Sequence, residues 1–318
     1  MKHANRIPKS GAVLFLGNHQ NALLDALLIA TKNGRFSYFL TRASVFSKPL
    51  ISKVLKSLLM LPVYRIRDGW SNLTKNNRVF SKSSKLLSEG HAITIFPEGS
   101  HNLRRTVRPL SKGFTRIIFE TLEAYPDTII HLVPVGLNFK NATKFGDSTL
   151  INFGNVMSID TCSIEDKSAR VLELKSKVFD QLCKLTTHIE TENYEQTLEA
   201  LEVMNVDFLK PERVNSCIAN NFSSCEKGQL KKDSPLKVLS KFLLILCLFL
   251  PYFIWKKVAQ PKIKEIEFTA TFRFAIAITL VPIFIIVIML ILTLLMQFQI
   301  ALLYLIIVLA LALISIKL

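Results

Sequence analysis

Charge is absent from residues 274–316 of this 318-residue chain, and an apolar run of that length exceeds what the core helix of a soluble domain requires. The polar break Gln297-Phe298-Gln299 divides the run into halves, each near the ~20 residues a spanning helix needs, which predicts a transmembrane hairpin over 274–316. Cysteine is sparse: Cys162, Cys183, Cys217, Cys225 and Cys247 form no C-x-x-C pair and have no histidine at zinc spacing, which excludes a zinc ribbon or a thioredoxin-type site. Their odd number and irregular spacing predict reduced thiols on the cytoplasmic side. No G-x-S-x-G elbow is present, so a serine hydrolase of that type is excluded. No Gly-rich loop ends in Lys-Ser or Lys-Thr, which excludes a P-loop. The first residues lack the apolar stretch of a secretory signal, and the chain shows no internal repeat and no low-complexity tract.

Acid is the scarcer sign. Forty Lys and Arg against 24 Asp and Glu give a formal charge of +16, which favours an anionic partner. No aromatic stacking platform accompanies the basic residues, so nucleic acid is disfavoured and the phosphates of a membrane are the nearer partner. Lys256, Lys257, Lys262, Lys264 and Arg273 gather between hydrophobic blocks, where the positive-inside tendency holds them on the cytoplasmic side.

Composition divides the chain in three. Residues 1–205 alternate short apolar, β-rich runs with helical patterns, predicting an α/β domain with a mostly parallel sheet flanked by helices. The expected strands are 12–17, 36–41, 61–65, 92–96 and 129–137, and the expected helices 22–31, 49–59, 72–88 and 111–124, with one or two more over 164–204. Residues 206–235 read as a polar linker, and 236–318 as a membrane-associated region. There the segment 242–255, short and interrupted by Pro251, is expected to lie in the interface.

Four polar clusters fall at strand ends, where open α/β sheets place their sites. GNHQNALLD (17–25) offers His19 and Asp25: a neutral imidazole can take a proton from an alcohol near neutral pH, and a carboxylate on its other nitrogen fixes the tautomer. LPVYRIRDG (61–69) ends a strand with Arg65 and Arg67, whose planar forks suit phosphate oxygens. IFPEGSHN (95–102) follows an apolar strand with Glu98, with Gly99 for a sharp turn, and with Ser100. LVPVG (132–136) carries Pro134 inside a strand, where it would shape a pocket wall.

In this order and spacing the four clusters resemble the glycerolipid acyltransferase family, typified by bacterial 1-acylglycerol-3-phosphate acyltransferases, over roughly residues 7–153. Arg108 to Gly113 is similar to the family's basic segment after the third motif. The resemblance implies acyl transfer from acyl-CoA or acyl carrier protein to a glycerol-phosphate acceptor, lysophosphatidate first and glycerol-3-phosphate second, without metal, cofactor or covalent acyl-enzyme. On it His19 is the base and Asp25 its orienting partner, while Arg65, Glu98, Gly99, Ser100 and Lys112 serve the acceptor. Backbone amides near Gly17 or Gly99 are expected to meet the oxyanion, and Arg104 to help hold phosphate. A different class, a catalytically silent membrane protein that binds lysolipid or acyl-CoA, is the alternative.

Two features depart from the family pattern. Five residues, not four, separate His19 from Asp25, and six helical steps turn the chain by about 600°, so His19 must precede the helix with Asn21 as a possible N-cap. This longer spacing is similar to a subset that includes fungal glycerol-3-phosphate acyltransferases. The resemblance also begins close to Met1, so the C-terminal hairpin is expected to supply the anchoring that many relatives give to N-terminal helices, unless the chain starts further upstream. His91, His131 and His188 read as structural; His101, beside the third motif, stays open. So does the run Arg104, Arg105, Arg108, which could meet lipid phosphate or a carrier protein, or line a solvated loop.

Overall fold

Seven strands carry the N-terminal part of the chain: β1 (Ala12–Gly17), β2 (Ser37–Arg42), β3 (Met60–Val63), β4 (Ala92–Ile95), β5 (Ile130–Phe139), β6 (Thr149–Phe153) and β7 (Met157–Ile159). They are seen in a computed structural model that describes residues 1–64, 74–161, 166–226, 228 and 234–317. The strands form one sheet in the order β3-β2-β4-β1-β5-β6, with β7 also paired to β5. Pairing is parallel from β3 to β5 and antiparallel where β6 and β7 join β5. The mostly parallel α/β architecture expected from the alternating pattern is therefore present.

The central position of β1 follows from its sequence. AVLFLG has no polar side chain and every residue in it is buried, as a parallel strand covered on both faces demands. Pro134 sits inside β5 without breaking the sheet. β7 pairs with Ile130 to Leu132 and β6 pairs from Val135 onward, so the missing N–H of Pro134 falls in the gap between the two antiparallel partners. The two short antiparallel strands were not expected from the sequence.

Helices α1 (Ala22–Lys32), α2 (Pro49–Ser57), α3 (Asn76–Ser88), α4 (Gly113–Ala124) and α5 (Lys167–Leu185) connect or follow the strands. Val79, Phe80 and Leu87 of α3, Phe114, Ile117 and Ile118 of α4, and Leu174, Val178 and Leu182 of α5 bury their helical stripes in one core with Leu14, Leu16 and Leu132 of the sheet. Asp166 caps α5 by accepting from the amides of Ser168 and Ala169.

Beyond α5 the sequence reading needs correction. The stretch read as linker from residue 206 contains a helix, α7 (Pro211–Ala219), which follows α6 (Tyr194–Val203). Val214 and Cys217 of α7 are buried in a second small core with Ile189, Tyr194, Leu201, Val206 and Phe208. Cys217 is joined to Cys225 by a disulfide, contrary to the expectation of thiols throughout. Among the described residues Cys183 and Cys247 are free.

The chain divides into two compact units, Met1–Lys140 with Thr149–Gly228, and Asn141–Ser148 with Gln229–Leu318. The second unit holds α8 (Pro235–Cys247), α9 (Phe249–Phe253), α10 (Thr269–Ile278), α11 (Leu280–Leu295) and α12 (Phe298–Lys317). The helical segments Ile266–Leu295 and Phe298–Lys317 are each long and apolar enough to cross a membrane, and the break between them includes Gln297. Upstream, Pro235–Cys247 and Phe249–Lys262 meet at a bend of 97°. The bend lies at Leu248, three residues before Pro251, because proline's ring clashes with the carbonyl four residues back and cannot donate to it. That carbonyl belongs to Cys247. It accepts instead from the Tyr304 hydroxyl of α12 at 2.9 Å.

Candidate active site

Strand β1 ends at Gly17, and the next residue keeps the chain attached to the sheet. Asn18 accepts from the Leu137 amide at 2.7 Å and donates to the Leu137 carbonyl at 3.0 Å, so its side-chain amide replaces one backbone rung against β5. The backbone is then free to turn, and His19, Gln20 and Asn21 wrap the first turn of α1.

Asp25 stands in that first turn, fully buried. Its Oδ2 accepts from His19 Nδ1 at 2.8 Å, from the Gln20 amide at 2.8 Å and from the Asn21 amide at 2.7 Å. The five-residue spacing is thus accommodated by a loop that folds back over the helix start, with Ala22 in the left-handed region at φ 41°. Asn21 occupies the N-cap position, but its side chain makes no cap hydrogen bond; Asp25, from inside the helix, takes the amides instead. A carboxylate can only accept, so the proton between the two groups resides on Nδ1 and Nε2 is left as the basic nitrogen.

The imidazole lies on a platform. Its ring stacks on Phe96 with centroids 4.2 Å apart and planes 13° from parallel. Gly17 makes room for that ring, because a Cβ there would sit 3.0 Å from Phe96. His101 meets the His19 ring edge-on at 5.5 Å, which brings to the site a histidine whose role the sequence left open. The side chain of His19 keeps 13 % of its surface exposed while Asp25 keeps none, so access is through the imidazole alone.

The third cluster forms the adjoining wall. Glu98 Oε1 accepts from the His19 amide at 3.4 Å, and Oε2 accepts from Arg108 Nε at 2.6 Å. The same guanidinium donates to Ser100, through Nη1 to its Oγ at 2.6 Å and through Nη2 to its carbonyl. Burial pushes the Glu98 carboxyl above the usual range, and the Arg108 charge and hydrogen bond oppose that shift. Gly99 adopts φ 74° with open space on the side where a Cβ would project, so the turn itself requires glycine. Its own amide donates to the Phe96 carbonyl at 3.1 Å and is committed to that turn rather than offered to an oxyanion.

The remaining expected residues are distributed unevenly. Lys112 is exposed at the position preceding α4. Arg65 and Arg67 lie outside the described residues. Arg104 stacks over Tyr194 at 4.0 Å and pairs with Glu195 at 3.3 Å, while Arg105 donates to the carbonyls of Phe139 and Lys140 and lies 3.6 Å over Phe208. The run left open in the sequence therefore ties loops together, and Arg108 is partly buried within it. Sequence reasoning did not single out Asn18 or Phe96, and it named Arg108 only within the basic segment after the third motif and the Arg104, Arg105, Arg108 run, without pairing it to Glu98. His131 bonds Ser158 at 2.9 Å, and His188 accepts from the Val107 amide at 3.0 Å, both in structural positions.

Comparison with known proteins places this geometry. Residues 1–138 match the family model described as Acyltransferase. An uncharacterized acyltransferase of Schizosaccharomyces pombe is 28% identical over 122 residues, 37% of this chain and 18% of that protein. Glycerol-3-phosphate O-acyltransferase 1 of Saccharomyces cerevisiae is 28% identical over 81 residues, 26% of this chain and 11% of its own. The chain thus spans less than a fifth of the length of either relative. The 1-acyl-sn-glycerophosphate (LPA) acyltransferase PlsC of Thermotoga maritima aligns with a TM-score of 0.39 at 15% identity, covering 57% of this chain and 69% of that one. The matched residues include the whole His19, Asp25, Glu98 and Arg108 constellation, so the likeness to the acyltransferase family model extends over the candidate site.

Proposed function

We propose that the protein transfers a fatty acyl group from acyl-CoA or acyl carrier protein to the free hydroxyl of 1-acylglycerol-3-phosphate, giving phosphatidate. The observation that carries this reading is the buried Asp25 carboxylate holding His19 in one tautomer at the end of the central strand, with the ring supported by Phe96. The acceptor oxygen attacks the thioester carbonyl as its proton passes to Nε2 of His19. The carbon–sulfur bond then breaks, and the donor leaves as a thiol once the imidazolium returns the proton. Asp25 stabilises the imidazolium between these steps. Arg65 and Lys112 hold the acceptor phosphate, and the Glu98–Arg108–Ser100 clamp keeps the wall beside His19 in place. No residue is acylated. The apolar helices associate the protein with a membrane. The lysines between the hydrophobic blocks put the catalytic domain on the cytoplasmic side.

A second acceptor, glycerol-3-phosphate, is favoured by one observation, the five residues between His19 and Asp25; the yeast relative with that activity in its name is in keeping with it. Purified protein and its His19→Ala variant, offered lysophosphatidate, glycerol-3-phosphate and a phosphate-free lysolipid with each donor, separate the readings. Wild type is expected to acylate a phosphate-bearing acceptor, and the variant to lose roughly 100- to 10,000-fold in rate. If neither protein transfers an acyl group while lysolipid still binds, a silent lipid-binding protein replaces the enzyme.

A further inference from the structure

Helix α2 turns its apolar residues the wrong way for a soluble protein. None of its residues is buried, and Leu50, Ile51, Val54 and the following Leu58 are 75 %, 44 %, 50 % and 57 % exposed. Leu50, Val54 and Leu58 recur every fourth residue, so they form one row along the helix, with Ile51 beside it. Only Ser52 and Leu55 of the helix are partly covered; Ser52 lies about 160° around the helix from Val54, and Leu55 about 100°, beyond Ile51. The flank away from Ile51 carries Lys53, whereas Lys56 lies about 160° around the helix from Val54; both are exposed, and among the described residues no ion pair engages either. Proline at the first helical position fixes the start, so the helix persists without a packed face.

The surroundings repeat the same chemistry. Val45, in the turn before α2, is also exposed, and Lys48 stands at the helix start. From Arg42 to Arg67 the sequence contains no acidic residue. A cavity of about 320 Å³ beside α2 is lined by Tyr38, Leu59, Met60 and Val79 together with Lys56 and Lys82. An outward apolar row with a cation on one flank matches an anionic lipid surface, where apolar side chains reach the acyl boundary and lysine reaches phosphates. The chain's two membrane-length helices mean that it works beside such a surface.

We propose that α2 is an interfacial helix, inserting Leu50, Ile51, Val54 and Leu58 into the boundary of a bilayer containing anionic phospholipid while Lys53 pairs with its phosphates. This docking is independent of which acceptor the site uses. Full-length protein in nanodiscs, carrying photoreactive benzoylphenylalanine at position 50 or 54, tests it by mass spectrometry of the crosslinked products. Position 172, in place of the 64 % exposed Leu172 of α5, serves as the comparison. Positions 50 and 54 are expected to capture phospholipid where 172 does not, with about fivefold more product on anionic than on zwitterionic discs, the factor a single lysine contributes at such a surface. The substitution Lys53→Glu is expected to abolish that preference. Capture of protein, whether from the same chain or a second copy, overturns the proposal. So does a lipid yield no higher than at position 172, or a preference for anionic discs that survives Lys53→Glu.

Discussion

Asp25 gathers three donors on one carboxylate oxygen, and its other oxygen, Oδ1, is buried without a hydrogen-bond partner among the described residues. The orientation of His19 thus depends on a charge that solvent does not reach. Arg108 plays a comparable part for Glu98. Removing the guanidinium would strand a nearly buried carboxylate, which typically costs about 3–5 kcal/mol; because a quarter of the Arg108 side chain is exposed, the loss for Arg108→Gln is expected near the lower bound. Its pH dependence follows from the direction of the Glu98 shift. A carboxyl raised on folding favours the folded state below its unfolded pKa, and that advantage fades as pH rises through the folded value. Without Arg108 the rise is larger, so the variant should lose more thermal stability at pH 8 than at pH 5, measured by melting in detergent. An equal loss at both values would show that Glu98 is not the group left uncompensated.

Among elements, the α8–α9 bend joins a proline to a tyrosine fifty-three positions later, Pro251 to Tyr304. In an apolar surrounding a freed carbonyl must find another donor, and the Tyr304 hydroxyl supplies it to Cys247. Tyr304→Phe is expected to lower stability by about 1 kcal/mol, read from unfolding in mixed micelles with increasing dodecyl sulfate. Elements of this kind also show what the sequence could and could not reveal. β1 was legible to the residue because six successive apolar positions admit only a buried strand. β6 and β7 were not: five and three residues are too few to display a period, and both exist only through antiparallel pairing with β5. α7 escaped notice because its buried Val214 and Cys217 stand in an otherwise polar stretch. The His19–Asp25 pairing was visible in the sequence because the partners lie six residues apart, one on the loop after β1 and one in the first turn of α1. The Glu98–Arg108 clamp was hidden by its likeness to a solvated basic run, and Arg65 still rests on the sequence alone.

At the scale of the molecule, one unit carries the sheet and the dyad and the other carries the apolar helices. Residues 274–316 have no charge with which to hold either segment in water. The protein is therefore expected to stay in the membrane fraction through washes with high salt and alkaline carbonate, and to be released by detergent. Release by carbonate alone would mean that neither helix spans.

The order of strands has a consequence for how the protein is made. β1 leaves the ribosome before the other strands of its sheet, yet it lies in the middle of that sheet, and Asn18 must wait for Leu137, 119 residues later, to complete its pairing. At roughly 5–20 residues per second that interval is on the order of ten seconds. Until β4 is made an apolar strand has neither neighbour, and until β5 is made it has only one. Nascent chains halted before β5 should therefore engage holding chaperones strongly, and those halted after it much less, so that the His19–Asp25 pair gains its packed setting late in synthesis even though its own residues come earlier.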